Sequence, residues 1–219
     1  MSNAAQCQQH TFIAAYIMVN KIVIVGPEST GKSTLCEALA QHFHTSWCPE
    51  FAREYLMSNG KDYSFEDLLD IARGQLALEE EYTRQLESRW SWSEKEGCWI
   101  NATTLHSSLR PPVLFIDTDM YVMKVWCEYV FGKCHPFILD EIAKRSYQGY
   151  LLCAPDLPWV KDELREYPDE KNRIELYHIY QDLLIHQSTP WKIIKGNDEG
   201  RLAHAIAAVQ EMITVTQKA

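Results

Sequence analysis

Short, unbroken apolar runs alternate along the chain with longer stretches in which apolar residues return every third or fourth position. The runs are Lys21–Val25 (KIVIV), Val113–Ile116 (VLFI), Tyr150–Ala154 (YLLCA) and Trp191–Ile194 (WKII), and the first three stop at Gly26, Asp117 and Pro155. A strand buried on both faces reads this way, because neither side of it has to be polar. Thr45–Cys48 predicts a brief further strand. Between the runs, Lys32–Phe43, Glu50–Met57, Phe65–Leu86, Tyr121–Phe131, Phe137–Ser146, Asn172–His186 and Glu199–Thr214 carry helical spacing. Strands alternating with helices predict an α/β fold, a parallel β-sheet covered by helices on both faces. Ligands of such sheets bind beyond the carboxyl ends of the strands.

One stretch breaks the alternation. Trp90–Pro112 is rich in Trp, Ser and Thr, ends in Pro111-Pro112, and reads as an insertion or long surface loop. Its tryptophans, Trp90, Trp92 and Trp99, read as partly buried anchors of that loop.

Composition narrows the class without changing the fold. The 219 residues suit a single domain from residue 19 to 219, with residues 1–18 as a leader outside it. Phe12–Val19 is apolar but far short of the about 20 residues that span a bilayer, and no Lys or Arg precedes it as in a signal peptide. The net charge of −9 argues against nucleic acid or an acidic membrane as partner. Seven cysteines at irregular spacing, without a CxxC pair, predict reduced thiols of a cytoplasmic protein.

The chemistry begins at Gly26-Pro27-Glu28-Ser29-Thr30-Gly31-Lys32-Ser33, a GxxxxGKS segment between an apolar strand and a helix. Glycines let the backbone turn sharply and approach phosphates with successive N–H groups, and the helix adds its positive end. Gly26, Glu28, Ser29, Thr30, Gly31, Lys32, Ser33 and Thr34 are therefore the expected ATP-binding residues. Lys32 would reach the β- and γ-phosphates and the Ser33 hydroxyl would ligate Mg²⁺. Asp117, directly after its strand, is the expected second metal residue. Asp119 suits the acceptor site or a helix N-cap equally. Glu50 follows the brief strand, where a carboxylate can orient an attacking hydroxyl or bind a ribose. Asp156–Arg173 is polar and Pro-punctuated, so a lid over about 155–173 and a solvated turn both fit it. A kinase of some nucleoside or nucleotide and a regulatory ATP-binding module both remain open on these residues.

Several short motifs together narrow the choice. GPESTGKST at Gly26–Thr34, E-x-x-R-E-Y at Glu50–Tyr55 and FIDTD at Phe115–Asp119 resemble the ribosylnicotinamide kinase domain of the bacterial NadR protein. G-K-x-H-P-F at Gly132–Phe137, W-V-x-D-x-L-R at Trp159–Arg165 and Lys171-x-Arg173 follow in the same order. The resemblance implies a P-loop NTPase fold like the nucleoside and nucleotide monophosphate kinases, with a mobile lid. It implies phosphorylation of the 5′-hydroxyl of nicotinamide riboside by MgATP, giving nicotinamide mononucleotide in NAD salvage. Carried over by position, it makes Arg165 and Arg173 catalytic lid arginines and Glu50 a ribose ligand or general base. It assigns Arg53, Tyr55 and Asp119 to the substrate and Arg201 to the adenine end. Pro49 stands where the best-known members have a Trp, with Trp47 two residues away. The adenylyltransferase and DNA-binding parts of some NadR proteins have no matching motif, so the expectation is the kinase step alone.

Overall fold

Ile22, Val23, Ile24 and Val25 are all fully buried, which requires β1 (Asn20–Val25) to be covered on both faces. In the computed structural model, which describes residues 19–103, 107–108, 111–160 and 169–215, β1 is the central strand of five. β6 (Val113–Asp117) and β7 (Gly149–Cys153) flank it, β2 (Trp47–Cys48) lies outside β6, and β8 (Trp191–Ile194) lies outside β7. Every pairing in this sheet is parallel. The register sets Ile24 beside Asp117, Val25 beside Leu152 and Cys48 beside Ile116. The segments after β1, β2, β6 and β7 therefore leave the sheet at one edge.

Alternation along the strands decides which helix covers which face. Ile22, Ile24, Phe115 and Leu151 pack with Leu35 and Leu39 of α1 (Lys32–His42) and Val209 of α7 (Asp198–Val215). Val23, Val25, Leu114, Ile116 and Leu152 pack with Leu86 of α3 (Phe65–Arg89), Val122 of α4 (Met120–Phe131), and Leu176 and Leu184 of α6 (Glu170–Ile185). A third cluster joins α2 (Phe51–Asn59), α3, α4 and α5 (Pro136–Lys144) through Leu56, Leu68, Ile71, Met123 and Ile138. Burying one such side chain stabilises the fold by about 1.5–3 kcal/mol, and Phe115→Ala, at the sheet centre, should cost about 3–5 kcal/mol. The sheet covered on both faces is thus as the apolar pattern predicts.

Local signals fix the helix ends that frame the site. Ser64 and Asp67 form a reciprocal cap at the start of α3, with Ser64 N–H donating to Asp67 Oδ2 at 2.7 Å. Asp119 caps α4, and Gly132 ends it in the left-handed region at φ 67°.

Residues 90–108 differ from the surface loop read from the sequence. β3 (Trp90–Ser93), β4 (Cys98–Asn101) and β5 (Ser107–Ser108) form a small antiparallel sheet, with Trp92 opposite Trp99. The signal was present as period-two alternation in WSWS, followed by a turn ending at Gly97, whose φ is +62°. Trp90 and Trp99 are buried in the main core, while Trp92 is exposed. Among the described residues no helix is long and apolar enough to cross a membrane. The expected leader, residues 1–18, lies outside the described residues.

Candidate active site

The loop between β1 and α1 is shaped by three positive φ angles, 142° at Gly26, 55° at Ser29 and 74° at Gly31. A Cβ on Gly26 would lie 2.8 Å from the carbonyl oxygen of Cys153, so only glycine fits against β7 there. Inside the loop, the Thr30 hydroxyl and Lys32 Nζ both donate to the carbonyl of Pro27, at 2.8 and 3.0 Å. Two buried arginines hold it from behind. Arg173 Nη2 donates to the Ser29 carbonyl at 3.3 Å and to that of Leu157 at 3.0 Å. Arg201 Nη2 donates to the Thr30 carbonyl at 2.7 Å, and its Nη1 donates to Asp156 Oδ1 at 2.9 Å. In a trans peptide the C=O of one residue and the N–H of the next point opposite ways. Tying back the carbonyls of Ser29 and Thr30 therefore turns the amides of Thr30 and Gly31 the other way, as anion donors. The start of α1 suits an anion too, with no capping side chain and no acidic residue in its first turn.

The register brings Asp117 to this loop. The Ser33 hydroxyl donates to Asp117 Oδ2 at 2.5 Å, while the buried Oδ1 has no hydrogen-bond partner. Burial, and then the charge of Glu50, push the Asp117 carboxyl up to about 6, against the pull of Lys32, the Ser33 hydroxyl and Arg53. Glu50 Oε1 accepts from the Thr118 hydroxyl at 3.4 Å. A hydroxyl and an orphaned carboxylate oxygen beside a phosphate cradle fit a Mg²⁺ bound together with a nucleotide. Among the described residues no group of three or more His, Cys, Asp or Glu could hold a metal unaided.

One cavity of about 230 Å³ joins these parts. Its phosphate end is the loop from Gly26 to Thr34, and Glu50 and Arg53 stand beside it. Its far wall is apolar and aromatic: Ala52 and Leu56 from α2, Val122, Val125, Trp126, Tyr129 and Val130 from α4, and Leu176 and Tyr180 from α6. The sequence reading missed this wall, because its residues read as ordinary helix positions until the helices are placed. Trp126 is held firmly, its Nε1 donating to the Tyr63 hydroxyl at 2.8 Å with the two rings edge to face.

Four expected residues stand elsewhere. Asp119 is not in this cavity. Its Oδ1 accepts from the backbone N–H groups of Tyr121 and Val122, and its Oδ2 from the Tyr150 hydroxyl at 3.0 Å. It lines a separate small polar cavity with Tyr121, Arg145 and Tyr147, and burial pushes its carboxyl up to about 7. Thr118, at φ 84°, sends the two aspartates in different directions. Tyr55 donates its hydroxyl to Asp67 Oδ1 at 2.6 Å, tying α2 to α3. Arg173 and Arg201, read as lid and adenine residues, act here on loop carbonyls and are absent from the cavity wall. Arg165 and the rest of residues 161–168, the middle of the expected lid, lie outside the described residues. Just before those residues, the Val160 N–H donates to Ser29 Oγ at 3.0 Å.

Five parallel strands in this order, with a GxxxxGKS loop at their carboxyl edge, define a P-loop protein of the kinase-like class. The chain belongs to a family described as an AAA domain, whose model matches residues 21–201. In keeping with the motifs, it is similar to the trifunctional NAD biosynthesis/regulator protein NadR of Salmonella typhimurium and of Escherichia coli. It is 26% identical to each over 200 residues, covering 89% of this chain and 43% of the relative, so it spans less than half their length. Among solved structures it resembles a NadR protein in complex with NR (TM-score 0.66, 21% identity), over 90% of this chain and 50% of that one. It also resembles thymidylate kinase from Ehrlichia chaffeensis (TM-score 0.56, 10% identity), over 88% of this chain and 97% of that one.

Proposed function

We propose that this chain is an ATP-dependent ribosylnicotinamide kinase, which transfers the γ-phosphate to the 5′-hydroxyl of nicotinamide riboside and yields nicotinamide mononucleotide. The observation that carries the reading is the continuity of the cavity, from a phosphate loop past Glu50 to an aromatic end. A bare nucleotide switch has no need of such a second compartment. Along α4 the wall runs from Val122 to Val130, about 12 Å at about 1.5 Å per residue, which suits the length of a nucleoside. The relatives' description as NAD biosynthesis proteins, and the neighbour bound to NR, support this acceptor. A further NadR structure, with NAD and AMP-PNP, supports ATP as donor.

The chain's residues divide the work. Amides of the loop and Lys32 hold the β- and γ-phosphates, where charge spreads during transfer. Ser33 and Asp117 would hold Mg²⁺, which when bound with ATP neutralises charge between those phosphates. Glu50 orients the attacking hydroxyl and takes up its proton, and its negative charge also suits the fixed positive charge of the nicotinamide ring. Arg53, three residues on, lines the same cavity. Arg173 keeps the loop in shape, and Arg165 is the lid cation that would close over the phosphates.

The test is a product assay with MgATP and a panel of nucleosides. Nicotinamide riboside should be converted to its 5′-monophosphate well ahead of uridine or cytidine. ADP release should depend on that acceptor and fall by orders of magnitude in Lys32→Ala. ATP hydrolysis indifferent to every nucleoside would sink the kinase reading.

A further inference from the structure

Tyr180 is the one phenol on the cavity wall whose use inside the protein is missing. Its side chain comes from the middle of α6 and packs into the core beside Val122 and Leu176, with 6% of its surface exposed. The other buried tyrosines near the sheet edge are engaged: Tyr150 donates to Asp119 and Tyr147 to Glu79, each at 3.0 Å. The Tyr180 hydroxyl makes no hydrogen bond to any described residue, although it lies in the wall of the site. The ring is buried while the oxygen keeps some exposure, so the hydroxyl is open to a partner from outside the protein.

Its surroundings say what that partner is. Burial, and then the charges of Asp119, Glu50 and Glu28, push the phenol far above its ordinary value, so it remains an O–H donor. Glu50 and Glu28 line the same cavity as Tyr180, on the side of the phosphate loop. Trp126, Tyr129 and Val130 lie one to two turns further along α4, at the end left for a base. Between a phosphate loop and a base platform lies the sugar.

We infer that the Tyr180 hydroxyl donates to a sugar hydroxyl of the phosphoryl acceptor, making it a residue that selects ribosides; this rests on the kinase reading above. Glu50 accepts and Tyr180 donates, so the two would grip one sugar from different elements with complementary polarity.

The experiment compares the parent protein with Tyr180→Phe, which removes one oxygen and keeps the ring. The KM for the acceptor should rise about tenfold, the net worth of one good hydrogen bond, while the KM for ATP stays the same. A 2′- or 3′-deoxy acceptor should lose about as much with the parent, and nothing further with Tyr180→Phe. The melting temperature should hold or rise, because no protein partner is lost. An unchanged acceptor KM overturns the inference while leaving the kinase reading in place. So does equal discrimination against the deoxy acceptors by both proteins, or a lowered melting temperature, which would mean the oxygen serves the fold. A parent protein that phosphorylates no nucleoside overturns both. If another riboside proves to be the acceptor, the same comparison is made with it, since the contact concerns the sugar.

Discussion

Ser33 and Asp117 meet across 84 residues of chain, the hydroxyl donating to Oδ2 at 2.5 Å while Oδ1 has no partner. The contact joins the first turn of α1 to the end of β6, and it exists because β6 lies beside β1. On the kinase reading, the pair would offer its two oxygens to a cation bound with the nucleotide.

Ser33→Ala should therefore act through the metal. The Mg²⁺ concentration for half-maximal activity should rise about tenfold or more, and saturating Mg²⁺ should restore part of the turnover. Superimposable metal titrations of parent and variant would remove Ser33 from the metal site.

The buried position of Asp117 gives the activity an acid limb. Its carboxyl is pushed up to about 6, and only the carboxylate binds a cation well. At low Mg²⁺, kcat/KM should fall as pH drops through about 6. Raising Mg²⁺ favours the carboxylate, so the limb should move to lower pH. A limb that stays fixed across a wide range of Mg²⁺ belongs to another group.

Much of this was legible in the chain, and what was not has physical causes. Strands β1, β6, β7 and β8 show as apolar runs because a strand covered on both faces has no polar side. The GxxxxGKS loop shows because its glycines answer a backbone demand, as at Gly26 against Cys153. Asp117 could be found because it is the one acid at the end of an apolar strand. For Asp119 a site role and a helix N-cap stayed open, since the turn at Thr118 that parts it from Asp117 leaves no mark in composition. The aromatic end of the cavity was hidden for a different reason. Trp126 and Tyr180 belong to different helices, and which face each helix shows the site depends on packing far along the chain. Arg173 and Arg201 were singled out by their position in the resemblance, and position along the chain cannot tell a phosphate ligand from a brace on loop carbonyls.

Asp119 makes a stability prediction with a definite sign. Its carboxyl is raised to about 7 in the fold from an ordinary 3.8, so the fold favours the neutral form. That contribution is fully present below about pH 4 and is lost as pH rises through about 7. Asp119→Asn keeps a good N-cap for α4 without the charge. The variant should be more stable than the parent at pH 8, by about 1 kcal/mol or more, and equal to it near pH 4. Denaturant melts at the two pH values check this, and a difference that grows toward acid would reverse the assignment.

Arg201 should matter as a brace. Arg201→Ala removes the donor to the Thr30 carbonyl and leaves Asp156, about one-third exposed, without its cation. The loss of stability should be about 1–3 kcal/mol, and the KM for ATP should rise while that for the acceptor changes little. Arg201→Lys should recover little of either, because an ammonium cannot span Thr30 and Asp156 as a planar fork does. Recovery by lysine would mean that charge alone is what the loop needs.

Trp126 is the residue expected to decide which base is accepted. The sequence has Pro49 before Glu50, so an aromatic platform cannot come from that position. The cavity supplies one from α4 instead, and the bond from Trp126 Nε1 to Tyr63 fixes the plane of its indole before any ligand arrives. A rigid indole favours a flat ring, and a positively charged ring above a neutral one, by about 0.5–2 kcal/mol. Trp126→Ala should therefore lower kcat/KM for nicotinamide riboside about tenfold, and that for uridine by much less, so that the preference between them shrinks. Trp126→Phe should fall between, keeping a ring but losing the bond to Tyr63. The ratio of the two kcat/KM values is the quantity to measure, since a general loss of folding lowers both together. If Trp126→Ala leaves that ratio unchanged, the base is recognised by other groups, and Tyr129 on the next turn of the same helix is the first to test.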